Sequence, residues 1–250
     1  MKVIFAGESW IVQETHFKGF DTATLNRYED FFADAFFDVL KKNNVELDYY
    51  PNHLAQMEFP DNVEDLKPYD VVILSDCGSN TLLLHPDMQF KGVKKGNRLL
   101  AIKDFVDQGG SLLMCGGYLS FAGIENKARY AATPLADVLP VEMMNYDDRM
   151  EHPEGVTPII VNRDHPVLAG IDNDAWPEFL GYNKIKAKKE ATEIATIEGD
   201  TFMAAMEYGQ GRSFAFASDL APHWGSKEFI AWESYDRLFM NILQWLTKEK

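Results

Sequence analysis

Gly109-Gly110-Ser111-Leu112-Leu113-Met114-Cys115-Gly116-Gly117-Tyr118 is the stretch on which the fold turns. Two glycines stop whatever precedes it, five small or apolar residues follow without alternation, and two more glycines break the run. A short apolar run that does not alternate reads as a strand covered on both faces, the mark of a parallel sheet. Just upstream, Leu99, Leu100, Ile102, Phe105 and Val106 recur at helical spacing and predict a helix over 98–108 that stops at Gly109-Gly110.

The same alternation continues outward. Lys2 to Ala6 reads as a first buried strand closed by Gly7, with a polar loop after it. Tyr28, Phe31, Phe32, Ala35, Phe36, Val39 and Leu40 fall at helical spacing and predict a helix from Asn26 to Lys42. Val45 to Tyr50 and Asp70 to Ser75 read as the next strands, and Thr81 to Gly96, with Pro86 and two glycines, as an extended loop. Strands alternating with helices imply parallel pairing through right-handed crossovers. The second half changes character. Thr157 to Val161 looks like a strand, and Ala191–Ile197, Thr201–Tyr208 and Arg212–Ser218 are β-rich runs separated by Gly199-Asp200 and Gly209-Gln210-Gly211, which are hairpin signals. Tyr235, Leu238, Phe239, Ile242, Leu243 and Leu246 mark a last helix that packs back on the sheet. No linker, repeat or low-complexity tract divides the 250 residues, so residues 1–250 read as a single domain.

Composition narrows the function classes. Hydrophobic residues make up 46% and aromatic ones 13%, enough for a sizeable core. With 24 Lys plus Arg against 39 Asp plus Glu, the net charge of -15 repels a phosphate backbone and an anionic membrane, so nucleic acid and membrane are not expected partners. No apolar run approaches the roughly 20 residues of a membrane span, and Glu8 interrupts the N-terminal apolar stretch too early for a signal peptide. Two cysteines, Cys77 and Cys115, are too few for a disulfide framework and read as reduced thiols of a cytoplasmic protein.

In open α/β sheets ligands bind beyond the carboxyl ends of the strands. Four such ends are rich in polar, small and aromatic residues: Gly7-Glu8-Ser9-Trp10, then Asp76-Cys77-Gly78-Ser79-Asn80-Thr81, then Cys115-Gly116-Gly117-Tyr118, then Asp219 with Pro222-His223-Trp224. Cys115 is the most pointed of these. A strand followed at once by Cys-Gly-Gly can make a sharp strand-to-helix turn that exposes a thiol while the following N–H groups face an oxyanion. A free cysteine at a strand end is equally a small packing residue. His223 is the best-placed imidazole for a base, with Asp219 and Glu228 as candidate orienting carboxylates, and it reads as readily as a packing residue beside Trp224. His165 looks like a turn residue. No Cys/His/Asp cluster supports a metal site, and no glycine-rich loop matches a phosphate cradle, so no cofactor is implied.

Together, four segments resemble a family of glutamine-amidotransferase-like proteins of the class I superfamily: Gly109 to Phe121, Ser75 to Thr81, Asp164-His165-Pro166-Val167-Leu168, and Asp219-Leu220-Ala221-Pro222-His223-Trp224-Gly225. They span most of the chain. The resemblance implies an α/β, three-layer flavodoxin-like fold, its mostly parallel sheet extended by antiparallel strands in the C-terminal half. Class I amidotransferases place their nucleophile in Gly-x-Cys-x-Gly and follow a later strand with His-x-Glu, releasing ammonia from glutamine through a thioester. Cys115 and Gly117 match the Cys-x-Gly part and His223 the histidine, while Leu113 stands at the first glycine and Gly225 at the glutamate. A second branch, similar to the DJ-1/PfpI proteins, pairs its cysteine with a glutamate after the first strand, where Glu8 sits. Two functions follow. One is a cysteine-dependent amide hydrolase with Cys115 as nucleophile and His223 or Glu8 as its proton partner. The other is an inactive domain that binds a small molecule or a partner protein in the same cleft, the departures at Leu113 and Gly225 favouring this one for glutaminase chemistry. Under both, Asp76, Gly78, Ser79, Asn80, Gly116, Gly117, Tyr118 and Trp224 are expected to contact the ligand, and self-association is an open expectation.

Overall fold

The computed structural model describes residues 1–30 and 32–249. An eight-stranded sheet runs through the middle of the molecule in the order β4-β1-β5-β6-β14-β13-β12-β9. The strands are β1 (Lys2–Gly7), β2 (Trp10–Lys18), β3 (Asp21–Glu29), β4 (Glu46–Tyr50), β5 (Val71–Ser75), β6 (Ser111–Cys115), β7 (Val141–Met143), β8 (Arg149–Val156), β9 (Ile159–Ile160), β10 (Phe179–Asn183), β11 (Ile185–Ala187), β12 (Thr192–Ile197), β13 (Asp200–Tyr208) and β14 (Gly211–Phe216). The helices are α1 (Asp34–Lys42), α2 (Asn52–Glu58), α3 (Val63–Leu66), α4 (Ser79–Leu83), α5 (Pro86–Lys91), α6 (Arg98–Asp107), α7 (Leu135–Val138), α8 (Lys227–Ile230) and α9 (Tyr235–Leu246).

Strands β4, β1, β5, β6 and β14 are all parallel, whereas β13, β12 and β9 continue the sheet antiparallel. Numbered along the chain, the parallel five read 2-1-3-4-5, the flavodoxin-like order. The runs that do not alternate in sequence are the ones sealed on both faces: every residue of β5 and β6 is buried. Side chains of β14 show how the two layers form. Arg212 donates to the Trp245 carbonyl, and the Phe214 and Phe216 rings lie against Trp245 and Phe239, on the α9 face. Ser213, one residue out of phase, donates to the Val138 carbonyl on the α7 face at 2.6 Å. On β6 the Ser111 hydroxyl donates to Leu246 of α9 at 2.8 Å, so Leu113 and Cys115, in phase with it, face the α9 layer. Phe179, Phe202, Phe216, Phe229 and Phe239 form a ring cluster under the C-terminal strands. Each such ring removes about 150–250 Å² from water.

Three expectations need correcting. The helix begins at Asp34, not Asn26, because Asn26 to Glu29 pair as a strand with Trp10 to Gln13; Phe31, counted in that helix, lies outside the described residues. The polar loop expected after the first strand is the hairpin of β2 and β3. The stretch from Thr81 to Gly96 holds most of α4 and all of α5. Pro86 and Gly92, taken as loop breakers, bracket α5: proline opens it after the cap of His85, whose ring accepts the Asp87 N–H at 3.0 Å, and Gly92 closes it at φ 67°.

Candidate active site: carboxyls and an imidazole at the strand ends

The first strand turns sharply at its end. Gly7 lies so close to β5 that an added Cβ would stand 1.7 Å from the Ser75 carbonyl. Glu8 follows at φ 47° and donates its N–H to that carbonyl at 3.1 Å, while its carboxyl accepts the Ser75 hydroxyl at 2.6 Å. Asp76 leaves β5 in the same way, at φ 44°. Both acids are buried. Desolvation, then the charges of Asp219 and Asp76, push Glu8 well above the usual carboxylate range. Desolvation, then Asp219, raise Asp76 to about 7, against the opposing Leu119 N–H bond and His223. Burial thus pushes Glu8 toward its protonated form, and near neutrality Asp76 is poised between its two forms.

Gly117 is what lets these acids meet. Its φ of +131° and its lack of a side chain leave room for two carboxylates: a Cβ there would fall 2.7 Å from Asp219 Oδ1 and 3.0 Å from Asp76 Oδ1. Asp219 Oδ2 accepts both the His223 Nδ1 proton at 2.7 Å and the Trp224 N–H at 2.9 Å. That geometry orients the imidazole and leaves Nε2 for whatever enters. His223 itself is held at φ 149°, a conformation rare outside glycine. Burial lowers its pKa, but the hydrogen bond and charge of Asp219, with Asp76 and Glu151, outweigh burial and raise it above 6.5. The walls are aromatic. Tyr118 stands edge-on to His223 with centroids 4.5 Å apart, and Trp224 stacks behind it. Glu151 ties both walls together, accepting from Tyr118 Oη at 2.9 Å and from Trp224 Nε1 at 3.0 Å, and Arg149 covers the other face of Tyr118 at 4.7 Å.

Cys115 behaves differently from its sequence setting. It is the last residue of β6 and no helix follows; the next helical turn starts at Ile124, so the strand-to-helix elbow is absent. The following N–H groups are already committed: Gly116 to the Phe216 and Ser218 carbonyls at 2.8 and 2.9 Å, Gly117 to Asn183 Oδ1 at 3.0 Å, and Leu119 to Asp76 Oδ1 at 2.5 Å. Asn183 also reaches the Gly117 carbonyl and Asp148, which in turn holds the N–H groups of Ala122 and Gly123. The Cys115 thiol has no exposure, and burial, then Glu8 and Asp219, drive its pKa well above 9.0. Cys77 is buried too, its pKa pushed up to about 12 by burial and then by Asp76. Both cysteines are free.

The expected ligand contacts thus separate. Asp76, Gly117, Tyr118, His223 and Trp224 come together at the ends of β5, β6 and β14, with Asp76 and Trp224 buried and His223 exposed; the hollow of about 510 Å³ beside His223 is lined by Leu180, Pro222, Gly225, Lys227 and Ile230 among others. Gly78 and Ser79 are buried, the former beneath Leu119 and Ala128, and Gly116 is pressed against Ala217 and Asn183. Asn80 instead lines a separate groove beside the β2–β3 hairpin. Of the two orienting carboxylates read from sequence, Asp219 performs that role and Glu228 is exposed on α8. Asp76 as an acid, Glu151, Arg149 and Asn183 were not singled out as site residues; Asp76 carried the one available signal, standing directly after a buried strand. Among the described residues no three His, Cys, Asp or Glu side chains are placed to hold a metal ion, and no helix is long and apolar enough to cross a membrane.

No curated protein matches the chain. Two solved structures do so closely. "Cytoplasmic Protein STM3548 from Salmonella typhimurium" is 44% identical, covering 98% of this chain and 99% of its own with a TM-score of 0.94. "Cytoplasmic Protein STM1381 from Salmonella typhimurium LT2" is 42% identical over the same shares, with a TM-score of 0.93. A ThuA-like protein from Bacteroides uniformis ATCC 8492 shares the fold alone, at 12% identity, 98% and 90% coverage and a TM-score of 0.57. A family model described as "Putative glutamine amidotransferase" matches residues 2–248, and with that span of the chain accounted for, the protein belongs to this glutamine-amidotransferase-like family.

Proposed function

We propose that this chain is a cytoplasmic amidotransferase-like domain that binds a small polar molecule against the exposed side of His223, beside Tyr118, and that it does not form a thioester at Cys115. The observation that carries this reading is the state of the β6 end: the thiol is sealed, and the N–H groups of Gly116, Gly117 and Leu119 are spent inside the protein. A nucleophilic cysteine needs a lowered pKa, access and an oxyanion hole, and Cys115 is supplied with the opposite of the first two. The end of β14, one strand away, supports ligand binding. His223 is exposed and its Nε2 offers a donor or acceptor, Asp76 adds a titratable charge behind it, and the adjoining hollow carries apolar contact from Leu180, Pro222 and Ile230. The Asp219–His223 pair is also a competent proton shuttle for acid–base chemistry on that ligand. The names of the two Salmonella relatives, each called a cytoplasmic protein, support the cytoplasmic part of this reading.

Iodoacetamide labelling with peptide mapping tests the sealed thiol. Cys115 is expected to stay unlabelled at neutral pH until the protein unfolds, and incubation with L-glutamine to release no ammonia beyond that of a Cys115→Ala variant. Fast labelling of Cys115 together with glutamine turnover that Cys115→Ala abolishes would restore the cysteine-hydrolase reading, with His223 or Glu8 as proton partner. For the cleft, NMR titration of the histidine side chains against a panel of small polar metabolites is expected to move His223, and His223→Ala to lose the same ligand. A ligand that leaves His223 unmoved would place the site elsewhere.

A further inference from the structure

We propose that the β2–β3 hairpin is a dimerisation arm whose uncharged face docks on the same face of a second copy of this chain. The hairpin leaves the body after Ser9 and pairs only with itself, in unbroken register from Trp10 with Glu29 to Lys18 with Asp21. Its ring contacts with the body lie at the root, where Trp10 meets Phe32 and Tyr28 meets His53, both at 4.6 Å between centroids. An isolated two-stranded hairpin is only marginally stable in water, so an arm of nine residues per strand that buries almost nothing is a surface waiting for cover.

The pairing sorts the side chains onto two unlike faces. One face carries every charged residue of the hairpin, Glu14, Lys18, Asp21, Arg27 and Glu29, together with His16 and the apolar Trp10, Val12, Ala23 and Leu25, and Arg27 bonds to both Glu14 and Glu29 across it. That is a solvated face. The opposite face consists of Ile11, Gln13, Thr15 and Phe17 against Tyr28, Asn26, Thr24 and Thr22, without a single charge, and all eight are exposed. Ile11 is 67% exposed, Phe17 76% and Phe20, at the tip, fully. The face runs on into a groove of about 350 Å³ at the root, lined by Trp10, Tyr28, Asn52, His53, Asn80 and Leu84 among others, which also holds no Asp, Glu, Lys or Arg.

Charge selects the occupant. The chain carries a net charge of -15, so two copies repel wherever their charged surfaces approach. This uncharged strip is where they meet with the least of that cost, since it keeps like charges out of direct contact, and a basic partner would be steered to the acidic surfaces instead. Area agrees. The strip is about 30 Å long at ~3.4 Å per residue, and its eight side chains with Phe20 offer roughly 700 Å², close to the ~800 Å² that each partner gives a standard interface. A two-fold arrangement uses all of it. With the two hairpins antiparallel and face to face, Phe17 and Phe20 of one copy reach Ile11, Tyr28 and the groove of the second, and the threonines and amides meet in the middle.

Sedimentation velocity on the full chain tests this. The wild type is expected to sediment as a dimer at low micromolar concentration. Phe17→Lys with Thr24→Lys is expected to raise the dissociation constant by at least about 100-fold, as loss of an interface anchor does, with circular dichroism unchanged. Leu25→Lys, on the charged face, leaves the dimer intact. Independently, mild oxidation is expected to join Thr15→Cys into a covalent dimer and to leave Leu25→Cys unlinked. A wild type that stays monomeric up to about 100 μM, a dimer indifferent to the lysines on the uncharged face, or cross-linking through Leu25→Cys alone would each overturn the proposal.

Discussion

At the end of β6 the chain offers a cysteine, two glycines and a tyrosine. At the end of β14, the next strand over and paired with it at Cys115 and Phe216, it offers an aspartate and, four residues on, a histidine. The first end has the composition of a nucleophile site and is closed; the second has an ordinary composition and is open. The difference lies in where the backbone donors go. Around Gly116, Gly117 and Leu119 each N–H meets a carbonyl, an amide or Asp76, which fixes the loop and fills the space an oxyanion would need. Around His223 the side chain of Asp219 takes the imidazole and the Trp224 N–H, so the loop is held while Nε2 stays out. Residue type at a strand end names a candidate; the fate of the neighbouring N–H groups decides it.

The largest effect should come from joining the two ends by force. Gly117→Ala puts a Cβ into both carboxylates at a positive φ, and is expected to cost about 3 kcal/mol in chemical denaturation. A cost under about 1 kcal/mol would mean that the two ends are not packed through Gly117.

Next is Asp76→Asn. The carboxyl is raised from 3.8 to about 7 in the folded protein, so between those values the native state binds more protons than the unfolded one and stability falls as pH rises. The sign is the same for His223, whose raised pKa adds stability that is full below 6.5 and lost as pH climbs through its folded value. Asp76→Asn is expected to flatten the decline from about pH 4 to 7 and to gain on the order of 2 kcal/mol above it. An unchanged pH profile would show that Asp76 is not held neutral.

A smaller effect sharpens the open end. Asp219→Asn should lower the His223 pKa, because the hydrogen bond and charge that offset burial are weakened; proton NMR titration reads it. Tyr118→Phe is the mildest change. It removes one bond to Glu151 in a partly exposed wall, and should cost under about 1 kcal/mol while leaving the His223 titration nearly in place.

The parallel sheet was legible because burial on both faces writes itself as unbroken apolar runs such as Val71 to Leu74, and because Gly109-Gly110 and Gly209-Gln210-Gly211 mark real ends. The β2–β3 hairpin was not, since Phe17, Leu25 and Tyr28 are apolar yet exposed and Tyr28 happens to fall in phase with the helix that starts at Asp34. Within the site, His223 and Glu8 were readable from their places after strands. Asp76 looked like one polar residue among several, and only its burial beside Asp219 raises its carboxyl into the neutral range. Glu151 and Asn183 reach the cleft from β8 and β10, elements that no spacing in the sequence connects to it.

Strand β14 enters the middle of the sheet, between β6 and β13, roughly a hundred residues after β6 is made. During synthesis, then, Ser111 to Cys115 wait with one edge unpaired while the ribosome adds the whole second half. Pairing over so long a separation is slow, and a nascent or truncated chain ending before Gly211 presents that apolar edge to every other copy. The net charge of -15 that opposes contact between charged surfaces also acts between unfinished chains, and translation in concentrated salt, where that repulsion is screened, should reveal how much of the yield depends on it.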